Sequence, residues 1–206
     1  MSLEVIKKEI TKFFGENIVP DNHQRLEIAN DSDKTKMTIF ESESAGCKWI
    51  RVILPKETEI LPFKVDKKDY YVIFKYKKNC EAAALISINE KIYLVLFELK
   101  STLRLEKLED IKLKITSSLY LLLAVLRFIK FEPKNFLAIV GFMRDKLLFE
   151  PTDFDMDKMD KKQRELYKEW KSGFFVVNDV YGSKIKIEIV KGKCQSEIDL
   201  RSCLSP

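Results

Sequence analysis

The chain has 206 residues, 46% hydrophobic and 33% charged, with only 6 Gly and 6 Pro, which excludes a collagenous, low-complexity or disordered chain and suits a single domain over 1–206. Its net charge of +5, from 37 basic and 32 acidic residues, is compatible with a polyanionic partner without requiring one. One histidine, His23, excludes His-rich zinc sites and paired imidazoles, so any catalysis rests on carboxylates and lysines; cysteines at 47, 80, 194 and 203 read as free thiols of a reducing, cytoplasmic compartment.

In chain order, residues 3–14 place Leu3, Ile6, Ile10, Phe13 and Phe14 on one face of an amphipathic helix that Gly15 ends, with no apolar leader of the kind export uses. The run NDSDKTK (30–36) has turn composition, and the segments MTIF and CKWIRVIL after it read as short strands separated by ESESAG. Pro55 and Pro62 bracket a loop. Residues 70–76, 81–88 and 91–97 are successive apolar segments of strand length and form a meander. Asp110 is the expected N-cap of a Leu-rich helix over 111–129 that packs on the sheet. Its most apolar part, 115–129, is too short to cross a bilayer and contains Arg127, so no membrane partner is expected. Pro133 stops the pattern, and 135–143 returns as a strand. The charge-dense segment 153–171, with Leu166, Tyr167 and Trp170 at helical spacing, predicts a surface helix ended by Gly173. A final hairpin joins FFVVNDV to KIKIEIV through a Tyr-Gly-Ser turn.

Chemistry concentrates at one hairpin. With Asn89 and Glu90 at its centre, symmetric pairing sets Glu81 opposite Glu98, and the two-residue period of a strand brings Lys100 out on the same face. Opposed carboxylates at the ends of apolar strands need compensation, which a hard divalent cation such as Mg²⁺ supplies. Glu-x-Lys also occurs at 132–134 and 169–171, but only 98–100 closes a buried strand.

An acid at the start of one core strand, then FELKST with E-x-K at the end of the next, then a helix and a further strand: in this order of elements the chain resembles the PD-(D/E)xK, or restriction-endonuclease-like, nuclease superfamily. The resemblance spans 70–143. It implies an α/β fold with a restriction-endonuclease-like core, a mixed central sheet flanked by helices, followed by a C-terminal helix and β-hairpin. It further implies an endonuclease that hydrolyses DNA phosphodiester bonds with Mg²⁺ or Mn²⁺. Glu81, Glu98 and Lys100 are then the catalytic residues and Glu81, Glu98 and Leu99 the metal positions. Glu81 stands where the superfamily usually has Asp. Glu9 is a candidate further ligand, Lys114 or the Ser117-Ser118 pair a candidate helper on the following helix, and Asp66 and Asp69 rivals for the first acid. Lys64, Lys67, Lys68, Lys75, Lys77 and Lys78 offer a basic surface for DNA; Trp49, Trp170, Tyr70 and Tyr71 offer rings that stack on bases or fill the core. Nucleases that cut both strands often dimerise, so a homodimer is one arrangement the resemblance allows. The alternative reading is a catalytically inactive relative, or a binding module for a protein or nucleic-acid partner.

Overall fold

Strands that are apolar on both faces have to be covered on both, and this requirement shapes the molecule. The computed structural model describes residues 1–15, 18–19, 25–41, 46–65, 79–147, 159–179 and 181–201. The elements in chain order are α1 (Leu3–Phe14), β1 (Leu26–Asn30), β2 (Lys34–Phe40), β3 (Trp49–Pro55), β4 (Glu59–Phe63), β5 (Ala82–Ile88), β6 (Lys91–Leu103) and α2 (Leu105–Phe128). After them come β7 (Asn135–Asp145), α3 (Lys161–Ser172), β8 (Phe174–Asn178), β9 (Lys184–Lys193) and β10 (Glu197–Asp199).

The central sheet is mixed, six strands in the order β4-β5-β6-β7-β9-β8, and the C-terminal helix and hairpin are present as α3 and β8/β9. Leu94, Leu96, Ala83 and Leu85 face a core shared with α1, α2 and α3. Val95, Phe97, Leu99, Ala82 and Ala84 face the opposite way. Among the described residues, no helix covers that second face. A four-stranded sheet, β1-β2-β3-β10, does so with Met37, Ile39, Ile50 and Val52. The two sheets approach closely because Gly141 has no side chain: a Cβ there would sit 2.7 Å from Leu99 and 3.1 Å from Ile50.

The β5/β6 register runs from Ile88↔Lys91 to Ala82↔Phe97, as symmetric pairing about Asn89 and Glu90 requires. Both turn residues have positive φ, 49° and 63°, the geometry of a two-residue type I′ hairpin loop, although Glu90 occupies a position that favours glycine. Burial on both faces of β5 and β6 holds that turn in place.

Several expectations are corrected by tertiary packing. The Leu-rich helix begins at Leu105, with Arg104 as N-cap and no side-chain capping bond, so Asp110 lies inside the helix. The apolar period extends upstream through the fully buried Leu108, and its packing outweighs the capping preference of Asp110. Pro62 lies in β4, paired with Ala84; among the described residues β4 is the edge of the sheet, where a missing N–H is without consequence. Lys34 and Lys36 belong to β2, and β1, whose only buried residue is Leu26, carries almost no sequence signal. Phe13 is 51% exposed, its ring edge-on to Phe128 instead of on the sheet. Within 153–171 the helix starts at Lys161 with a capping box on Asp160, and residues 151–158 lie outside the described residues. The strand expected at 70–76 also lies outside them. Among the described residues, no helix is long and apolar enough to cross a membrane.

The reading of Cys47 and Cys194 as free thiols is overturned. Their Cα atoms lie 5.4 Å apart and their sulfurs are bonded, closing a loop across 147 positions between the start of β3 and the end of β9. Spacing carries no information about such a pairing, because the packing of the two sheets creates it. Cys80 remains a free, buried thiol. Reduction of the disulfide is expected to lower the unfolding free energy by about 2–4 kcal/mol, read as a shifted urea midpoint with and without dithiothreitol.

Candidate metal centre

The paired register ends at Ala82↔Phe97, and the N–H of Glu81, one residue beyond it, donates to the Phe97 carbonyl at 2.9 Å, so two successive residues of the hairpin's first strand face one of its second. Glu98 and Lys100 follow Leu94 and Leu96 on the face that meets α2. Asp110 and Lys114, one helical turn apart on α2, point back at them. The three residues expected to converge therefore do so, through two ammonium groups. Lys100 Nζ lies 2.7 Å from Glu98 Oε1 and 3.2 Å from Asp110 Oδ2. Lys114 Nζ lies 2.8 Å from Glu98 Oε1 and 3.5 Å from Glu81 Oε1. The other oxygen of Glu81 accepts from Arg25 at 2.6 Å.

Among the described residues, two carboxylate oxygens are buried without a hydrogen-bond partner, Glu98 Oε2 in this cluster and Glu41 Oε2 just past the end of β2. Glu98 itself is 0% exposed. Burial pushes its carboxyl up, and the Lys114 and Lys100 ammoniums pull it back only in part. For Lys114 burial works the other way but is outweighed by Glu98, and its pKa is raised. Glu41, at the end of β2, is pushed up to about 7 by burial and by the repulsion of Glu81, with Lys100 opposing.

The folded protein therefore binds a proton at Glu41 and Glu98 more tightly than the unfolded chain, whose glutamates titrate near 4.5. The metal-free protein should accordingly gain stability as pH falls through 7 toward the unfolded value. The lowered carboxyls Asp31, Asp179 and Asp199 release their stabilisation only below that window. In EDTA the thermal midpoint is expected to be higher at about pH 5.5 than at about pH 8, with the difference reduced in Glu41→Gln. An equal or reversed order would contradict this electrostatic picture.

The other candidates fall into place by position. Lys114, of the two helper options, reaches the carboxylates; Ser118 Oγ instead accepts from the Cys80 N–H at 2.9 Å, and Ser117 donates to the Leu113 carbonyl. Leu99 buries its side chain between the sheets, so its carbonyl is the only donor it offers. Among the described residues, the ion pairs of the cluster do not include Glu9, which lies on α1. Trp170 is core, 2% exposed, and Trp49 lies beside the Arg51 guanidinium. His23, Asp66, Lys67, Lys68, Asp69, Tyr70, Tyr71, Lys75, Lys77 and Lys78 lie outside the described residues.

Arg25, Glu41 and Asp110 were not anticipated. For Glu41 a signal existed: with Met37 and Ile39 it occupies alternate positions of an apolar strand, as Glu98 does with Leu94 and Leu96.

Among the described residues, no three His, Cys, Asp or Glu side chains are grouped so as to hold a metal ion by themselves. The donor set still fits a hard cation in kind. It offers carboxylate oxygens, one of them buried and without a partner, and Mg²⁺ characteristically takes one or two carboxylates and fills its shell with water and substrate phosphate. No family model, curated protein or solved structure matches the chain.

Proposed function

We propose that the protein is a Mg²⁺-dependent DNA endonuclease of the PD-(D/E)xK type, built on a restriction-endonuclease-like core. The observation that carries this reading is Glu98. It is a fully buried carboxylate within the core strand β6, ion-paired on one oxygen to Lys100 and Lys114, unpartnered on the other, and bridged by Lys114 to Glu81. The order of strand β5, strand β6, helix α2 and parallel strand β7 supports the core assignment.

Glu81, Glu98 and the Leu99 carbonyl would hold the cation, which when bound supplies Lewis-acid stabilisation of charge on the scissile phosphate. Asp110 holds the Lys100 ammonium at the mouth of the site, where it can orient a water or meet phosphate charge as a point cation. Lys114 bridges Glu81 and Glu98 and so keeps two like charges on one face. Arg25 fixes the far oxygen of Glu81. A DNA substrate goes with a cytoplasmic place of action, where the disulfide is sheltered because Cys47 and Cys194 are buried. A second reading, the inactive relative, is favoured by the same ion pairs, since Lys100 and Lys114 already neutralise much of the cluster.

The test is cleavage of plasmid, linear duplex and single-stranded DNA in Mn²⁺ and Mg²⁺ by wild type and by Lys100→Ala purified identically. Metal-dependent cutting by wild type alone is the expected result. No cutting together with no Mn²⁺ binding transfers the assignment to the inactive relative or binding module.

A further inference from the structure

Strands β6, β7 and β9 run parallel, so their C-terminal ends lie along one edge of the six-stranded sheet. Lys100 is paired with Phe142 and Phe142 with Lys193, while Arg144, two positions beyond Phe142, is paired with Thr102. The two-residue period puts Lys100, Arg144 and Lys193 on the face that meets α2, with their backbones within about 10 Å of one another. The Lys146 N–H donates to the Leu103 carbonyl at 3.0 Å. Arg104, the next residue, is the N-cap of α2, and its carbonyl accepts from the Lys107 N–H at 2.9 Å, so Arg104, Lys107 and Lys146 stand at the same edge. Lys100 is held by Glu98 and Asp110. Arg104, Lys107, Arg144, Lys146 and Lys193 are exposed, and among the described residues none of them is ion-paired. Elsewhere on the surface Arg51 pairs with Glu197, Lys112 with Glu169 and Arg201 with Asp199. Asp145, whose Oδ1 accepts the Leu147 N–H, and Glu106 lie among the cations of the edge and leave a surplus of positive charge. Such an edge attracts a polyanion, which sheds its own counterions on binding.

We infer that this edge is the surface that takes the backbone of duplex DNA, with Arg104, Lys107, Arg144, Lys146 and Lys193 as phosphate contacts that lead it to the Lys100 ammonium. The inference rests on the DNA reading above for the identity of the polyanion and adds where the polyanion lies. Phosphate contacts position without reading bases, so binding here is insensitive to sequence and steeply dependent on salt. The opposite ends of the same elements also carry exposed cations, Lys130 after α2, Lys134 before β7 and Lys184 at the start of β9, and these serve as a control of equal charge.

The test follows binding of a short fluorescein-labelled duplex across a salt series in EDTA, which withholds the divalent cation and so separates binding from cutting. Wild type is compared with the triple variant Arg144→Gln, Lys146→Gln, Lys193→Gln and with the control Lys130→Gln, Lys134→Gln, Lys184→Gln. The edge variant is expected to bind about 100-fold more weakly at about 0.1 M salt and to lose about 3 from the slope of log affinity against log salt, with the control within about 3-fold of wild type. Wild type that fails to bind the duplex overturns the inference, and so does equal weakening in the two variants. Poly-glutamate that competes as well as duplex of equal charge overturns it in favour of an acidic protein partner. Binding that meets the expectation in a protein that cuts no DNA in Mg²⁺ or Mn²⁺ upholds the surface and removes the nuclease reading alone. Should the triple edge variant not fold, Arg144→Gln by itself carries the expectation, with about 0.9 lost from the slope.

Discussion

Glu98→Gln is expected to cut DNA about 10³-fold more slowly than wild type, or not at all, while remaining folded. The loss follows from removing the anionic oxygen nearest both lysines, since a metal's charge stabilisation amounts to several kcal/mol and each 1.36 kcal/mol is tenfold in rate. The expectation that the fold survives comes from two opposing effects. Removing one partner of a buried ion pair ordinarily costs about 3–5 kcal/mol because the other charge is stranded. Here Lys100 retains Asp110 and Lys114 retains Glu81, and a neutral amide escapes the burial penalty that pushes the Glu98 carboxyl up. The measurement is single-turnover cleavage of a labelled duplex, with circular dichroism to establish folding. A folded Glu98→Gln protein that cuts at the wild-type rate would place the activity elsewhere.

Phe97→Ala is expected to lower the unfolding free energy by about 3–5 kcal/mol, the usual cost of emptying a buried aromatic site. Phe97 is fully buried between the two sheets, beside the small side chains of Ala82 and Ala84 on β5. Those neighbours are too short to fill the void. The effect also reaches the centre, because the Phe97 carbonyl accepts the Glu81 N–H and Glu98 is the next residue on the strand. Urea denaturation measures the first effect and the Mn²⁺ titration the second. A stability loss below about 1 kcal/mol would mean that the inter-sheet layer repacks around the gap.

Much of the hairpin was legible because strand chemistry is local. The alternation of side chains and the position of Asn89-Glu90 were enough to pair Ala82 with Phe97, and from that pairing Glu81, Glu98 and Lys100 had to share a face. Helix α1 and strands β2, β3, β7, β8 and β9 were legible for the same reason. Where two local signals competed, the weaker one misled. Asp110 has the chemistry of an N-cap, but the stripe of Leu105, Leu108 and Ile111 buries more apolar surface than a cap contributes, and so the helix starts earlier.

By itself, then, the sequence determined the E-x-K strand, its register and the face on which its two charges emerge, because each depends on residues within about one hairpin of one another. Tertiary structure alone decided which groups meet that face. Lys114 reaches Glu98 across 16 positions, Arg25 reaches Glu81 across 56, and Cys47 reaches Cys194 across 147. These contacts exist because the six-stranded sheet is apolar on both faces. It is closed on one side by α2 and on the other by a second sheet, and the packing of those layers brings the remote side chains together.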